Sequence, residues 1–309
     1  MPLIQVSKLH IHTKLIGNDM LDFTEHNLTD AVVDRFGACD NPRLKQIVQA
    51  ITRHAHAFVK EVELTQDEWV EAIDFLTKTG HMCDDRRQEF ILLSDVFGVS
   101  MLVDAINHRM PEGTTETTVL GPFYLGEHKL TVNGATLVPE DEGDPIFIEG
   151  SIKAPDGSPI VGAIIDMWHT DAEGLYDAQK PELHGEPKMR AQFKSDADGR
   201  FWFKTIVPSS YPIPNDGPVG KLLDATKRHY MRPAHVHFHV SSQGYETLVT
   251  HVFLAGDPWL ESDAVFGVKK SLIADLKKST APVYPDNTPA PKSWDLLHYD
   301  FGLKPEKHA

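Results

Sequence analysis

Two periodicities divide this chain. Up to about residue 110 the apolar positions recur at three- and four-residue steps, and beyond it they alternate with polar ones. Leu44, Ile47, Val48, Ile51, Ala55 and Phe58 keep the first rhythm, which lines one face of an α-helix. Thr65, with Glu68 three residues on, has the form of a capping box opening a second helix through Val70, Ile73 and Leu76. A third helical segment is expected from Asp85 to Asn107, through Phe90, Leu93, Val96, Phe97, Met101 and Ile106, with Pro111 and Gly113 marking its end.

Beyond residue 113, turn residues cluster at PEDEGDP (139–145), APDGSP (154–159), SDADG (195–199) and PIPNDGP (212–218). Between them run the alternating stretches IFIEGSI, AIIDMWH, GRFWFKTIV and HVHFHVSS, which read as short strands. Regular spacing of such strands predicts a β-sandwich. The pattern therefore gives an α+β chain, a helical N-terminal domain over 1–110 followed by a mainly antiparallel sandwich over 111–309. One late helix is expected over Val265 to Lys278, and the proline-rich tail after Pro282 is expected to cover the core as irregular chain.

Composition narrows the class without naming it. Apolar residues are 41% of 309, enough for an ordinary packed core. The net charge of −15 repels phosphate backbones and argues against nucleic acid as a partner. Two cysteines, Cys39 and Cys83, exclude a disulfide scaffold and form no C-x-x-C pair. No apolar run approaches the roughly 18 residues of a membrane span, and the opening MPLIQVSKLHIHTKL lacks the continuous apolar core of a signal peptide. A soluble, cytoplasmic protein with reduced thiols is expected.

Histidine occurs 17 times, so only spacing can single one out. In RPAHVHFHV (232–240), His235, His237 and His239 share one face of a strand, where same-face neighbours lie roughly 6.5–7 Å apart. Two imidazoles at that spacing can converge on one metal ion. Spacing does not choose His235/His237 over His237/His239, nor among zinc, copper, iron and nickel. The lack of an H-E-x-x-H helix or a cysteine cluster weakens the common zinc patterns, while Asp166, Asp171 or Asp257 could supply a carboxylate to a two-histidine site. A lone strand histidine more often faces solvent; three alternating beside Arg232 and Pro233 are harder to dismiss. Tyr176 in GLYD and Tyr211 in the rigid loop PSSYPIPNDGPVG would, taken singly, be packing residues.

Taken in order, WHTDAEGLYD, PSSYPIPNDGPVG and RPAHVHFHVS resemble the corresponding stretches of intradiol ring-cleavage dioxygenases in both sequence and spacing. TGHMCDDRRQEFILLSDVFGVSMLVDAINHR, TVLGPFYL and GDPWLESDAVFGVKKSLI extend the likeness from about residue 40 to 300, and the hydroxyquinol branch is the most similar. The resemblance implies one iron(III) per chain, held by Tyr176, Tyr211, His235 and His237, with His239 a same-face bystander. Phenolates are hard, anionic donors, and only a strongly charged metal holds two of them deprotonated when free tyrosine titrates at about 10. In the family a small aromatic diol or triol chelates the iron as a dianion. The loop tyrosine, here Tyr211, acts as base and leaves the metal, and O2 opens the ring to a diacid. No reductant is needed, in keeping with the absence of a Gly-rich dinucleotide fingerprint. Arg232 would line the pocket and stabilise negative charge on the substrate. The resemblance also implies a homodimer through the helical domain, with a phospholipid in an apolar channel between its helices.

Carried over by motif, the pocket is walled by His81 and Asp84 in GHMCDD, by Val119, Pro122 and Phe123 in TVLGPFY, and by Ile213, Pro214 and Val265. A three-residue step would put His81 and Asp84 on one helix face. The position matching Asp84 is typically apolar in the catechol branch; a carboxylate there could accept a hydrogen bond from a third ring hydroxyl, and would lose hydration without return against a bare ring. His251 stands where catechol enzymes usually carry glutamine. Hydroxyquinol (benzene-1,2,4-triol) is thus the expected substrate, opened to 3-hydroxy-cis,cis-muconate, with catechol or chlorocatechol as the alternative. A zinc hydrolase or a non-catalytic binding module on a β-sandwich is the distant one.

Overall fold

Local capping sets the helical part. A computed structural model of the chain describes residues 22–84, 87–126, 130–139, 142–183 and 185–306. The opening MPLIQVSKLHIHTKL stretch and Asp85 lie outside them. The helices are α1 (Leu28–Arg35), α2 (Pro42–Glu61), α3 (Gln66–His81), α4 (Glu89–Val96) and α5 (Val99–Asn107). The Asn41 side chain accepts the backbone N–H groups of Arg43 and Leu44, both at 3.0 Å, and Pro42 begins α2 where no N–H is needed. The capping box ahead of α3 is formed: Thr65 N and Oγ1 each donate to Glu68 Oε2 at 2.9 Å, and Glu68 N donates back to Thr65 Oγ1 at 3.3 Å. The segment expected as one helix to Asn107 is two, because Gly98 takes φ +70° between α4 and α5. That left-handed turn ends a helix, and glycine adopts it without strain.

By contact density the chain falls into two compact units, residues 1–74 and 75–309. Within the first, α1 rests on α2, with Gln49 Nε2 donating to the Val33 carbonyl at 3.0 Å. The second holds the sandwich. Its strands are β1 (Pro145–Lys153), β2 (Ile164–His169), β3 (Arg190–Lys194), β4 (Arg200–Ile206), β5 (Tyr211–Pro212), β6 (Met231–Arg232), β7 (His235–Ser241), β8 (Leu248–Leu254), β9 (Ile273–Ala274), β10 (Leu276–Ser279), β11 (Trp294–His298) and β12 (Phe301–Gly302). A sixth helix, α6 (Pro218–Ala225), separates β5 from β6. One sheet runs β3-β2-β7-β8-β9; the other centres on β1, paired with antiparallel β4 and with parallel β11 and β12. Alternation decides what lies between them. Ile146, Ile148 and Ile152 of β1 and Phe201 and Phe203 of β4 share one buried cluster with Ile165 and Met167 of β2, Val236, Phe238 and Val240 of β7, and Val252 and Leu254 of β8.

Two expectations fail here, both through pairing with distant chain. Val265 to Lys278 is not a helix. Phe266 sits at φ +58°, and Ile273–Ala274 and Leu276–Ser279 are drawn into β9 and β10 by β8 and β11. The tail is irregular only up to Ser293; β11 then lies between β1 and β10, so it is part of a sheet rather than a cover.

The crossing from β11 to β12 depends on one glycine. Gly150 sits in mid-β1, where a Cβ would overlap the Tyr299 carbonyl oxygen. The Tyr299 N–H meanwhile donates to the Glu149 carbonyl at 3.0 Å. Gly150→Ala is expected to destabilise the sandwich by about 1–3 kcal/mol, the usual cost of overpacking, read as a lower urea midpoint with an unchanged slope. An unchanged midpoint would show that the chain at Tyr299 shifts freely.

Candidate metal centre and active site

The outer face of β7 carries the chemistry because its inner face is spent on the core. His235, His237 and His239 point away from Val236, Phe238 and Val240. Cross-strand register places Trp168 of β2 and His251 of β8 on either side of His237, and Phe253 beside His235. Tyr176 follows the turn after β2, a turn fixed by Asp171 Oδ1, which accepts the N–H groups of Glu173 and Leu175 at 2.9 Å. Tyr211 begins β5 and pairs directly with Arg232 of β6.

These elements bring four donor atoms together. Tyr176 Oη lies 2.9 Å from His237 Nε2, 3.3 Å from His235 Nε2 and 3.3 Å from Tyr211 Oη, and the two Nε2 atoms are 3.2 Å apart. A metal with bonds of about 2.0–2.1 Å seats neighbouring donors about 2.8–3.4 Å apart at tetrahedral to octahedral angles. His235 Nδ1 lies 2.7 Å from the Pro233 carbonyl, which can only accept. The ring proton is therefore on Nδ1, and a lone pair on Nε2 faces the cluster. Four heteroatoms that can each turn a lone pair toward one point are crowded together. The donor set thus suits a cation, and two phenol oxygens suit a hard, highly charged one.

Burial pushes the Tyr176 phenol well above the usual tyrosine range, and Tyr211 beside it adds to the rise. Burial, then the Arg232 charge, pulls His235 down to about 3, and burial holds His237 and His251 well below the usual imidazole value. The imidazoles are thus neutral ligands, and only a cation would ionise Tyr176 at neutral pH. A third imidazole, His251, lies close by: its ligand atom and those of His235 and His237 fall within 4.8 Å of one another. Its Nδ1 is 3.0 Å from Thr118 Oγ1, and its Nε2 has no partner among the described residues. Tyr176 approaches the histidine pair more closely than that limit.

Arg232 is buried, and its Nη1 is 3.5 Å from Tyr211 Oη. Pro233 separates β6 from β7, so strand parity does not carry back to it. Asp263 supports the guanidinium through Nε at 3.1 Å and Nη2 at 3.3 Å. Gly267 leaves room for this pair, since a Cβ there would stand 2.9 Å from Arg232 Nη2. The two tyrosine-bearing loops are tied as well: Thr170 Oγ1 donates to the Ser209 carbonyl at 2.9 Å and Ser209 Oγ to the Ala172 carbonyl at 2.8 Å. Behind Tyr176, Asp177 forms a buried ion pair with Arg190 at 2.7 Å, and the Trp168 ring stacks on His237 at 4.5 Å.

The expected pocket residues divide. Phe123 stacks on Tyr176 at 4.5 Å, and the neighbouring Gly121 backs onto the His237 ring edge. Ile213 and Val265 are buried together with Val96. Val119 is half-buried, while Pro122, Pro214, His81 and Asp84 are exposed. His81 and Asp84 do not share a helix face, because α3 ends at His81 and Asp84 lies in the turn beyond it. His239 stands apart from the cluster, stacked on Tyr124 and 3.6 Å from Asp166. Sequence reasoning missed Asp263, Trp168 and Thr118. Trp168 could have been found from strand parity, but nothing periodic marks Asp263 in its turn.

The family described as Dioxygenase matches residues 119–305, and that described as Catechol dioxygenase N terminus matches residues 41–115. The 6-chlorohydroxyquinol 1,2-dioxygenase of Cupriavidus pinatubonensis is 49% identical over 93% of this chain and 99% of its own length. The hydroxyquinol 1,2-dioxygenase of a Rhizobium species is 48% identical over 86% of this chain and 90% of its own. The solved hydroxyquinol 1,2-dioxygenase of Pseudomonas putida superposes with a TM-score of 0.86 at 47% identity, covering 91% of this chain and 99% of that one. Two family models that together span most of the chain, and relatives alike over nearly their whole length, place it: this chain belongs to the intradiol ring-cleavage dioxygenases.

Proposed function

We propose that this enzyme opens hydroxyquinol between its two adjacent hydroxyl-bearing carbons, giving 3-hydroxy-cis,cis-muconate, on one iron(III) per chain held by Tyr176, Tyr211, His235 and His237. The observation that carries the reading is the convergence of these four donor atoms at 2.9–3.3 Å inside a buried site. Bound iron(III) supplies a Lewis-acidic centre that draws electron density from a chelated diol and makes its ring reactive towards O2. Both oxygen atoms enter the product, so no external reductant is consumed.

The chain's own residues supply proton and charge control. Tyr211 takes a substrate hydroxyl proton, and Arg232 beside it favours negative charge on the entering oxygen. Asp263 fixes that guanidinium in place. Ile213, Pro214, Val265, Val119, Pro122 and Phe123 give the ring an apolar wall, and His251 closes the far corner against Thr118. His81 and Asp84 form the polar side, where Asp84 accepts the third hydroxyl. Among the described residues no helix is long and apolar enough to cross a membrane, and a cytoplasmic location is part of the proposal. The helices up to residue 110 form the dimerisation domain and the remainder the catalytic domain. Ile51 and Phe58 of α2, each more than half exposed, support a homodimer, and a phospholipid in an apolar channel of the helical domain belongs to the same proposal.

Tyr176→Phe is expected to strip the red-brown charge-transfer colour or the iron itself, read by visible absorption and metal analysis; a colourless protein fully active with zinc would sink the assignment. Asp84→Leu is expected to lower kcat/KM for hydroxyquinol by about ten- to a hundredfold, the worth of a charged hydrogen bond, and to leave catechol unchanged or improved. Equal losses on both substrates would make Asp84 structural. Light scattering at micromolar concentration should give twice the chain mass, and a monomer would remove the dimer.

A further inference from the structure

The turn that bears Asp84 and the loop that bears Tyr211 are far apart in sequence, yet one side chain joins them. Arg87 reaches in two directions. Its Nε and Nη2 donate to Glu89 Oε2 at 3.1 and 2.8 Å, while Nη1 and Nη2 meet Asp216 Oδ2 and Oδ1 at 3.0 and 2.8 Å. Asp216 lies five residues beyond Tyr211, past Ile213 and Pro214. Glu89 is fully buried, and its other oxygen accepts the Val219 N–H at 3.1 Å, at the start of α6. Gly217 lies so close that a Cβ there would strike Glu89 Oε1 and Met82 Sδ. The backbone of Arg87 meanwhile holds Asp84: its N–H donates to Asp84 Oδ1 at 2.7 Å, and its carbonyl accepts the Asp84 N–H at 2.8 Å.

A planar guanidinium can satisfy two carboxylates in fixed directions, which an ammonium cannot. The fork therefore fixes a distance as well as making a contact. We propose that Arg87 is a positioning residue for substrate choice, clamping the Asp84 turn to the Tyr211 loop so that the third-hydroxyl acceptor and the substrate's proton acceptor keep one spacing. This deepens the hydroxyquinol reading and rests on it. Asp216 is the arm of the clamp open to test, because its side chain is 68% exposed and Glu89 alone keeps Arg87 paired when it is removed. Replacing Glu89 would instead take the acceptor from the buried Val219 N–H and risk the fold.

The experiment is a double-mutant cycle on the iron-loaded enzyme. It uses Asp216→Asn, Asp84→Leu and both together, with Asp216→Glu as the conservative control. Two quantities are read: the ratio of kcat/KM for hydroxyquinol to that for catechol, and the ratio of their dissociation constants measured without oxygen. Asp216→Asn is expected to lower both ratios about three- to tenfold, the range of coupling through a packed network, and Asp216→Glu to restore most of it. In the Asp84→Leu background the same change is expected to do nothing further, because the residue being positioned is gone. Equal losses on both substrates, or the same fall in both backgrounds, would overturn the clamp. A normal Asp84→Leu effect beside a silent Asp216→Asn removes the clamp and leaves the hydroxyquinol reading intact. A silent Asp84→Leu removes that reading, and the clamp with it.

Discussion

Two phenol oxygens and two imidazole nitrogens meet within 2.9–3.3 Å inside a buried site, where each can turn a lone pair toward one point. The rest of the fold can be understood as what makes that crowding tolerable. Buried acceptors without donors cost free energy, and a cation among them turns the cost into a binding site. The site forms only if each donor is held against its preference to turn away. His235 is fixed by the Pro233 carbonyl, and His237 by Trp168 and Gly121. Tyr176 is held in front by Phe123 and behind by the Asp177–Arg190 pair that follows it. Tyr211 alone stands beside a cation, Arg232, and on a strand of two residues. It is also the least buried of the four, which suits the one ligand proposed to act as a base.

Sheet geometry explains why the centre lies on an outer face. A strand has two faces, and β7 gives one wholly to the sandwich core. The other could face water, but here it is covered, and that burial holds its histidines neutral well below the usual imidazole range. The covering comes from the chain after β2, the loop around β5 and the Val119–Phe123 segment. Outside the short β5–β6 pair, side chains tie these loops to one another, as Thr170 and Ser209 do across the two tyrosine loops. A covering built from loops can vary in shape without disturbing the strands beneath it.

What could be read from the sequence follows from how local its cause is. The capping box at Thr65 and Glu68 is a four-residue device and was legible as such. The alternation of β1, β2, β4 and β7 was legible because each strand buries one face. The break at Gly98 was not read, since helical spacing continues across it from Val96 to Met101 and only the glycine's conformation interrupts it. Val265 to Lys278 misled for a related reason. Its apolar residues fit a helix, but the sheet edges offered by β8 and β11 come from elsewhere in the chain and win. The site divided in the same way. Two histidines on a strand face are a local pattern. The approach of two tyrosines and the support of Arg232 by Asp263 depend on how loops close, which no spacing encodes.

The two tasks of the site ask for different precision, and the architecture separates them. Donors around one metal must hold their places to a few tenths of an ångström, and here two of the four stand in the middle sheet strand, braced by neighbours in register. Choosing among ring substituents asks less: one acceptor at the right distance from the proton-accepting tyrosine. That acceptor can be carried on a turn at the end of a helix, provided something rigid sets its distance. Arg87 reaches from that turn to the Tyr211 loop through charged, directional bonds, and in the clamp proposed above this is how the helical segment supplies selectivity to a centre built on strands. A change of substrate can then arise in the turn or its clamp without disturbing the four donors.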